Sequence, residues 1–284
     1  MPPQTSIRDR IVAFIRAAAP GGVVVGMSGG VDSSVVASLC AEALGRTKVL
    51  GLILPASSTP AQDTTDAQQV AGKLGIPCRI IPIEGVLRAL EQALGPAASA
   101  DSDCLPDQKG ATQRAADPSP PRGELARSTL IAQANLAPRL RMAVLYYHAN
   151  LLGRLVAGTG NRSELLTGYF TKHGDGGVDF LPLGGLYKRE ILALAKELSI
   201  PAQVISKPPS AGLWPGQTDE GDLGLPYAAL DSILAALLDQ GLPPAAAAAQ
   251  TGMDPATVAK VLSLLEASRH KRALPPVGPR PGEE

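Results

Sequence analysis

The chain has 284 residues, enough for one large α/β domain or two small ones, and its 45% of hydrophobic residues allow a substantial core. Its 26 basic and 26 acidic residues give a formal net charge of zero, which argues against a general binder of nucleic acid or of an anionic membrane. The three cysteines form no CxxC pair, and neither a signal-peptide pattern nor an apolar run of about 18 residues occurs. We therefore expect a cytoplasmic protein without a disulfide scaffold, a structural zinc site or a transmembrane helix.

Residues 1–94 alternate between helical and strand-like patterns. Helical spacing of apolar residues, with start and stop signals, predicts helices at 6–18, 32–44, 63–74 and 84–94. Short apolar runs predict strands at 23–27, 48–54 and 78–83. This alternation is typical of a doubly wound, parallel α/β sheet with right-handed crossovers and helices on both faces.

The rest of the chain contains long stretches without a regular pattern. Residues 95–127 are rich in proline, alanine and serine, and we expect them to form a mobile insert. The patterns that follow predict a strand at 155–157 and helices at 128–152, 187–198, 226–240, 244–251 and 254–271, the last three forming a helical C-terminal part. The irregular segments predict a binding loop at 159–186, a lid at 207–222 and a disordered tail at 277–284.

The most informative segment is Gly26-Met27-Ser28-Gly29-Gly30-Val31-Asp32-Ser33, which follows the first strand and opens a helix. Its glycines allow positive φ and a close approach of a ligand, while backbone N–H groups and the helix N-terminus attract a pyrophosphate. Asp32 would repel phosphates unless Mg²⁺ bridges the two, although a carboxylate at a helix start also fits a purely structural role. The segment lacks both the Walker A lysine and the glycine fingerprint of dinucleotide-binding folds.

Residues 28–34 resemble the PP-loop of ATP pyrophosphatases, which cleave ATP between the α- and β-phosphates and adenylate a substrate oxygen. Within that superfamily, the segments 158–179, 181–183 with Lys188, 207–220 and 269–272 resemble the ammonia-dependent NAD synthetases, in the family's order. The resemblance implies a single NAD synthetase domain over residues 1–276 and a homodimer of flavodoxin-like subunits. It also implies the reaction of ATP, nicotinic acid adenine dinucleotide and ammonia to give NAD.

The same resemblance suggests a role for individual residues. It implies that ATP is bound by Gly26, Met27, Ser28, Gly29, Gly30, Val31, Asp32, Ser33, Thr159, Lys188 and Ser210. It places Mg²⁺ on Asp32 and Glu164, and the dinucleotide on Arg139, Lys172, Asp179, His270 and Lys271. No residue is assigned to covalent or acid–base catalysis, because positioning and charge neutralisation dominate this type of transfer. Taken singly, most of these side chains also fit ordinary surface or helix-end positions.

Two other functions remain open at this point. A tRNA-thiolating PP-loop enzyme would favour a basic surface and paired or catalytic cysteines. A non-catalytic sensor of adenine nucleotides would tolerate the loss of Asp32, Glu164 or Lys188, all of which are present. The synthetase pattern leaves no room for a fused amidase domain, so free ammonia is the expected nitrogen donor, with a separate glutaminase subunit as a further source.

Overall fold

A computed structural model describes residues 5–95, 122–214 and 216–279, with the backbone alone at 122–127. Its strands are β1 (Val23–Gly26), β2 (Val49–Ile53), β3 (Cys78–Ile80) and β4 (Leu155–Ala157). The helices of the first two thirds are α1 (Ile7–Ala18), α2 (Val31–Leu44), α3 (Ala61–Leu74), α4 (Glu84–Leu94), α5 (Arg122–Ala134), α6 (Leu136–Leu152) and α7 (Arg162–Thr167). Those that follow are α8 (Lys188–Glu197), α9 (Ala202–Ser206), α10 (Asp219–Leu223), α11 (Tyr227–Leu234), α12 (Pro244–Thr251), α13 (Pro255–Ala267) and α14 (Arg269–Arg272).

The four strands form one parallel sheet in the order β3-β2-β1-β4. An isolated parallel bridge between Ala157 and Phe180 extends it beyond β4. The predicted doubly wound parallel α/β sheet is confirmed. Its order matches the first four strands of the Rossmann arrangement, whereas the flavodoxin order places the third strand beside the first.

Strand β1 lies at the centre because its valines are apolar on both faces. Val23 and Val25 are fully buried in a core with α1, α2 and α8, and Val24 is fully buried in a second core with α6. Each such burial stabilises the fold by about 1.5–3 kcal/mol relative to an exposed side chain. The two cores place helices on both faces of the sheet and fix the end of β1, from which the glycine-rich loop departs.

The C-terminal helices build a third core, which also confirms the predicted helical C-terminal part. Leu230, Ile233 and Leu234 of α11 pack with Val258 and Val261 of α13. Helix α11 continues into a π-helical segment, Ala235–Asp239. This layer packs on α7 and α8, the helices next to the cavity described below. Among the described residues, no helix is both long and apolar enough to cross a membrane.

The long helix predicted at 128–152 is wrong in two ways. The chain is already helical from Arg122, so residues 122–127 of the predicted insert are helical, and the helix divides at Asn135 into α5 and α6. Pro138 explains the division, because it has no N–H for the carbonyl of Ala134 and its ring would clash with that carbonyl in a continuous helix. Residues 96–121 of the predicted insert and 280–284 of the predicted tail lie outside the described residues.

Short helices were missed inside both predicted loops. Helix α7 lies within 159–186, and α10 begins within 207–222 and ends one residue beyond it. Each begins with a side-chain cap: Asn161 accepts the N–H of Glu164, and Thr218 accepts the N–H of Gly221. Helices this short lack the apolar period on which the sequence-based prediction depended, but the caps were present as a signal. The predicted helix at 254–271 likewise divides, at Ser268.

Candidate active site

A cavity of about 600 Å³ opens at the carboxyl ends of β1, β2 and β4. This edge is where doubly wound sheets bind their ligands. The glycine-rich loop, the start of α3 and the segment after α9 form much of its wall. Ten of the eleven residues predicted to bind ATP line it: Gly26, Met27, Ser28, Gly30, Val31, Asp32, Ser33, Thr159, Lys188 and Ser210.

Gly29, the eleventh residue, does not line the cavity but packs against the backbone of α3. Its φ is +79°, and a Cβ atom there would lie 2.2 Å from the backbone oxygen of Asp63. Only glycine fits this position, on both counts. The loop is held internally by hydrogen bonds, since the N–H of Gly30 donates to Ser28 Oγ at 3.2 Å and Ser33 Oγ donates to the carbonyl of Gly30 at 3.1 Å. Gly30 has no side chain to cap α2, so the first amides of that helix are available to an anion.

Asp32 and Lys188 form a buried ion pair beside this loop. Lys188 Nζ donates to Asp32 Oδ2, and the lysine is only 3% exposed. Asn161 Nδ2 donates to Asp32 Oδ1 at 3.3 Å. Burial disfavours the charged lysine, but the carboxylates of Asp32 and Glu164 outweigh it and raise the pKa of Lys188. The lysine is therefore a fixed positive charge at the cavity wall.

Glu164 reaches the same place from the first turn of α7. Its N–H donates to Asn161 Oδ1 and its Oε2 accepts the N–H of Asn161, both at 3.0 Å, which is a capping box. Burial and the nearby charge of Asp32 raise the pKa of Glu164 to about 8, against the opposing effect of Lys188. Two carboxylates thus share one lysine, and a further cation would relieve their repulsion.

The predicted Mg²⁺ ligands, Asp32 and Glu164, both line the cavity. Mg²⁺ prefers oxygen donors and is usually held by one or two carboxylates together with substrate phosphates and water. No group of three or more His, Cys, Asp or Glu side chains within the described ranges could hold a metal ion alone. The two carboxylates therefore fit a Mg²⁺ ion that arrives with the phosphates of ATP.

Asp219 was missed by the sequence-based prediction although it also lines the cavity. It is 4% exposed, Tyr227 Oη donates to its Oδ2 at 3.0 Å, and its Oδ1 is buried without a hydrogen-bond partner in the described structure. Burial raises the pKa of Asp219. Asn161 was missed as well, because its contact with Asp32 spans 129 positions of the chain. Both residues stand within the segments that resemble the family, which was the available signal.

The residues predicted to bind the dinucleotide are not assembled in the same way. Only Lys271 lines the cavity, where its Nζ donates to the carbonyls of Gly168 and Phe170 at 2.7 Å. The other four residues are outside the lining, and their roles stay predictions: Arg139 is exposed on α6, Lys172 Nζ donates to the carbonyl of His270 at 2.9 Å, and Asp179 accepts the N–H of Val156 at 2.7 Å.

Comparisons with known proteins agree with this geometry. The model of the NAD synthase family matches residues 5–275. The NH(3)-dependent NAD(+) synthetase of Archaeoglobus fulgidus is 44% identical over 274 residues, covering 95% of this chain and 94% of that protein. The protein of the same name from Methanosarcina mazei is 42% identical over 275 residues, covering 95% and 96%.

Two solved structures are similar over nearly their whole length. The NMN synthetase of Francisella tularensis has a TM-score of 0.74 at 31% identity and covers 99% of this chain and 100% of its own. The NH3-dependent NAD synthetase of Campylobacter jejuni has a TM-score of 0.70 at 29% identity and covers 96% and 98%. The resemblance stated from the sequence is confirmed, and the chain belongs to the NAD synthase family.

Proposed function

We propose that this chain catalyses the ATP-dependent amidation of nicotinic acid adenine dinucleotide to NAD in the cytoplasm, with ammonia as nitrogen donor and with AMP and pyrophosphate as by-products. The observation that supports this most is one cavity in which the glycine-rich loop, the Asp32–Lys188 pair and Glu164 meet. An anion-binding loop, a fixed cation and two carboxylates are the parts that transfer at a phosphorus centre requires.

In the first step, a carboxylate oxygen of the nicotinate attacks the α-phosphorus of ATP, and pyrophosphate leaves with the electrons of the broken P–O bond. The amides at the start of α2 bind the phosphate oxygens, and Lys188 offsets the charge that develops on the leaving group. Thr159 and Ser210 also line the cavity and supply hydroxyl groups. These residues act by holding ATP and the carboxylate in line.

Asp32 and Glu164 are the residues that would hold Mg²⁺. When bound, the ion neutralises phosphate charge and orients the phosphates. Asp32 then serves two cations, because it also accepts the hydrogen bond from Lys188.

In the second step, ammonia attacks the adenylated carbonyl carbon, a C–N bond forms, AMP leaves with the bridging oxygen, and the nitrogen loses one proton to water to give the amide. Water would destroy the adenylate by the same attack, so the cavity must close. The segment Lys207–Trp214 lines the cavity and is the lid that we propose, with Trp214 as an apolar cover. Its two prolines and one glycine suit a segment that moves as a unit between fixed ends.

We also propose a homodimer, on the basis of one exposed apolar face. Helix α4 is amphipathic but has no buried residue, and Val86 and Leu94 are 60% and 61% exposed. It contacts α6, where Tyr147 and Leu151 are 64% and 65% exposed. Apolar surface of this extent favours a protein interface. An interface there would also let a second copy supply dinucleotide contacts that the cavity of one chain lacks.

One finding favours a second candidate substrate. The Francisella structure, at a TM-score of 0.74, is that of an NMN synthetase, and the acid that corresponds to NMN is nicotinic acid mononucleotide. The chemistry of amidation is the same, and the two substrates differ only by the adenylate half. The relatives at 42–44% identity favour the dinucleotide.

The test is product analysis of the purified chain with ATP, Mg²⁺ and either acid, with ammonium or glutamine as nitrogen source. We expect NAD, AMP and pyrophosphate from the dinucleotide with ammonium. The Asp32→Asn variant is the control, and we expect it to be inactive. NMN as the main product would favour the second candidate. Pyrophosphate release that neither acid stimulates would contradict the proposal, and absence of any pyrophosphate release would favour a sensor.

A further inference from the structure

Lys207 stands at the point where α9 ends and the proposed lid begins, and its side chain faces the glycine-rich loop. Its Nζ donates to Asp63 Oδ1 at 2.8 Å, to Asp66 Oδ2 at 2.6 Å and to the carbonyl of Gly29 at 3.1 Å. An ammonium group has three donors, and all three are used here. Lys207 lines the cavity but has no N–H left for a phosphate, so its effect on a ligand must pass through its partners.

The contact with Gly29 fixes the direction of one peptide of the loop. In a trans peptide the C=O and the following N–H point in opposite directions. Because Lys207 holds the carbonyl of Gly29, the N–H of Gly30 points the opposite way, where it donates to Ser28 Oγ at 3.2 Å. The peptide joins two glycines, which resist rotation less than any other pair. Without Lys207, this peptide is free to turn, and the hydrogen bond from Gly30 to Ser28 loses its support.

The two carboxylates strengthen the requirement for the lysine. Asp63 lines the cavity, and Asp66 is 1% exposed in α3 directly behind the loop. Burial opposes the charged form of Asp66, but hydrogen bonds from Lys207 and Gln62 outweigh burial and lower its pKa. Without Lys207, the negative charges of Asp63 and Asp66 beside the loop would repel the pyrophosphate that the loop binds.

We infer that Lys207 is a positioning residue, which holds the Gly29–Gly30 peptide in the direction that lets the Gly30 N–H orient the hydroxyl oxygen of Ser28, and which thereby joins the lid segment to the loop that binds the phosphates of ATP. The inference rests on the proposed use of ATP. It goes beyond the predicted ATP contacts, because all three N–H groups of Lys207 are used within the protein and the lysine acts through the loop. Pro208 and Pro209 follow Lys207 and restrict the backbone between it and Ser210. The hydrogen bonds of Lys207 therefore also fix where this restricted segment begins.

The experiment compares Lys207→Met with the unchanged chain by calorimetric binding of Mg·ATP and of Mg·pyrophosphate, without any dinucleotide. We expect both dissociation constants to rise about tenfold. In steady-state assays the KM for ATP rises by a similar factor, while the KM for the dinucleotide changes less than twofold. Lys48→Met is the matched control, since Lys48 Nζ also donates to a backbone carbonyl, that of Pro20, but lies far from the cavity.

A second variant separates positioning from stability. Lys207→Met alone leaves Asp66 buried without its cation and therefore lowers Tm, whereas Lys207→Met combined with Asp63→Asn and Asp66→Asn removes all three charges of the cluster. If Lys207 positions the loop, the triple variant regains Tm but still binds Mg·pyrophosphate weakly. Recovery of Tm and affinity together would overturn the inference in favour of a structural ion pair.

The outcome for the proposed function is read separately. If the unchanged chain binds Mg·ATP but forms no NAD, the proposed function is contradicted. The inference about Lys207 is then decided by the dissociation constants of its variants alone. An unchanged chain that binds neither Mg·ATP nor Mg·pyrophosphate would overturn both.

Discussion

At the scale of single residues, Asp32 is the side chain that joins the other charged and polar groups of the cavity wall. Its carboxylate accepts hydrogen bonds from Lys188 and Asn161, which lie 156 and 129 positions away in the sequence. The resemblance implied a Mg²⁺ site on Asp32 and Glu164 and an ATP contact for Lys188, but no local pattern could show that Lys188 pairs with Asp32. Asn161 was missed for the same reason, since a cap residue gives no sign of a second hydrogen bond to a distant helix.

The raised pKa of Glu164 leads to a prediction about stability and pH. Glu164 titrates at about 8 in the folded chain against 4.5 as an ordinary glutamate. Between these pH values the folded chain binds a proton that the unfolded chain has lost, so the free energy of unfolding falls as the pH rises. We expect Glu164→Gln to reduce that decline, because glutamine does not titrate.

The measurement is urea unfolding of both proteins in steps from pH 5 to pH 8 without metal. The difference between the two curves isolates Glu164 from the other buried carboxylates, such as Asp219 and Asp231, whose pKa values burial also raises. Parallel curves across this range would show that Glu164 keeps an ordinary pKa.

At the scale of elements, α7 and α8 carry Glu164 and Lys188 to the cavity, and one residue of α11 holds both helices. Asp231 is fully buried and accepts Ser163 Oγ of α7 at 2.6 Å and the N–H of Arg189 of α8 at 3.1 Å. The second bond satisfies one of the free amides at the start of α8. The position of both functional side chains therefore depends on this contact.

We predict that Asp231→Ala lowers the free energy of unfolding by about 2–4 kcal/mol, because it leaves the buried hydroxyl of Ser163 and the partly buried N–H of Arg189 without an acceptor. We also expect kcat to fall at least tenfold at a temperature where the variant is folded, since Glu164 and Lys188 lose their common support. Urea midpoints and initial rates measure the two effects. Ser232→Ala is the control, because Ser232 is next to Asp231 and its hydroxyl donates to the carbonyl of Ala228 within α11.

If Asp231→Ala retained full kcat while losing stability, Asp231 would be a core contact without influence on the site.

Elements with a strong pattern were predictable, and elements set by one residue were not. The valine run of β1 and the glycine loop after it have the predicted positions within one or two residues. The break at Asn135 follows from Pro138. The prediction missed it because the apolar residues of α5 and α6 were read as one continuous helix. Helices α7 and α10 are one turn or little more, too short for a period to appear, and only their caps could have indicated them.

At the scale of the whole molecule, the cavity of one chain accounts for ATP better than for the dinucleotide. The predicted ATP residues meet along its wall, whereas Arg139, Lys172, Asp179 and His270 do not line it. We propose that a second chain completes the dinucleotide site. Sequence resemblance could name these residues, but it could not give their arrangement in space.

The proposed dimer gives a direct prediction. Leu151→Glu places a charge on the exposed apolar face of α6 and should produce a monomer in sedimentation velocity, with dinucleotide KM raised at least tenfold and Mg·ATP binding retained. Leu238→Glu is the matched control, because Leu238 is 44% exposed in the C-terminal helices, away from that face. A Leu151→Glu protein that stays dimeric, or a monomer with unchanged KM, would argue against a shared site.

The central claim is that the substrate carboxylate is activated by transfer of AMP. The most direct measurement uses nicotinic acid adenine dinucleotide labelled with ¹⁸O in its carboxylate, in the presence of ATP, Mg²⁺ and ammonium, with mass analysis of the products. Attack on the α-phosphorus followed by amidation leaves one labelled oxygen in AMP and none in pyrophosphate. Label in inorganic phosphate, with ADP as the second product, would show activation at the γ-phosphorus and would contradict the account.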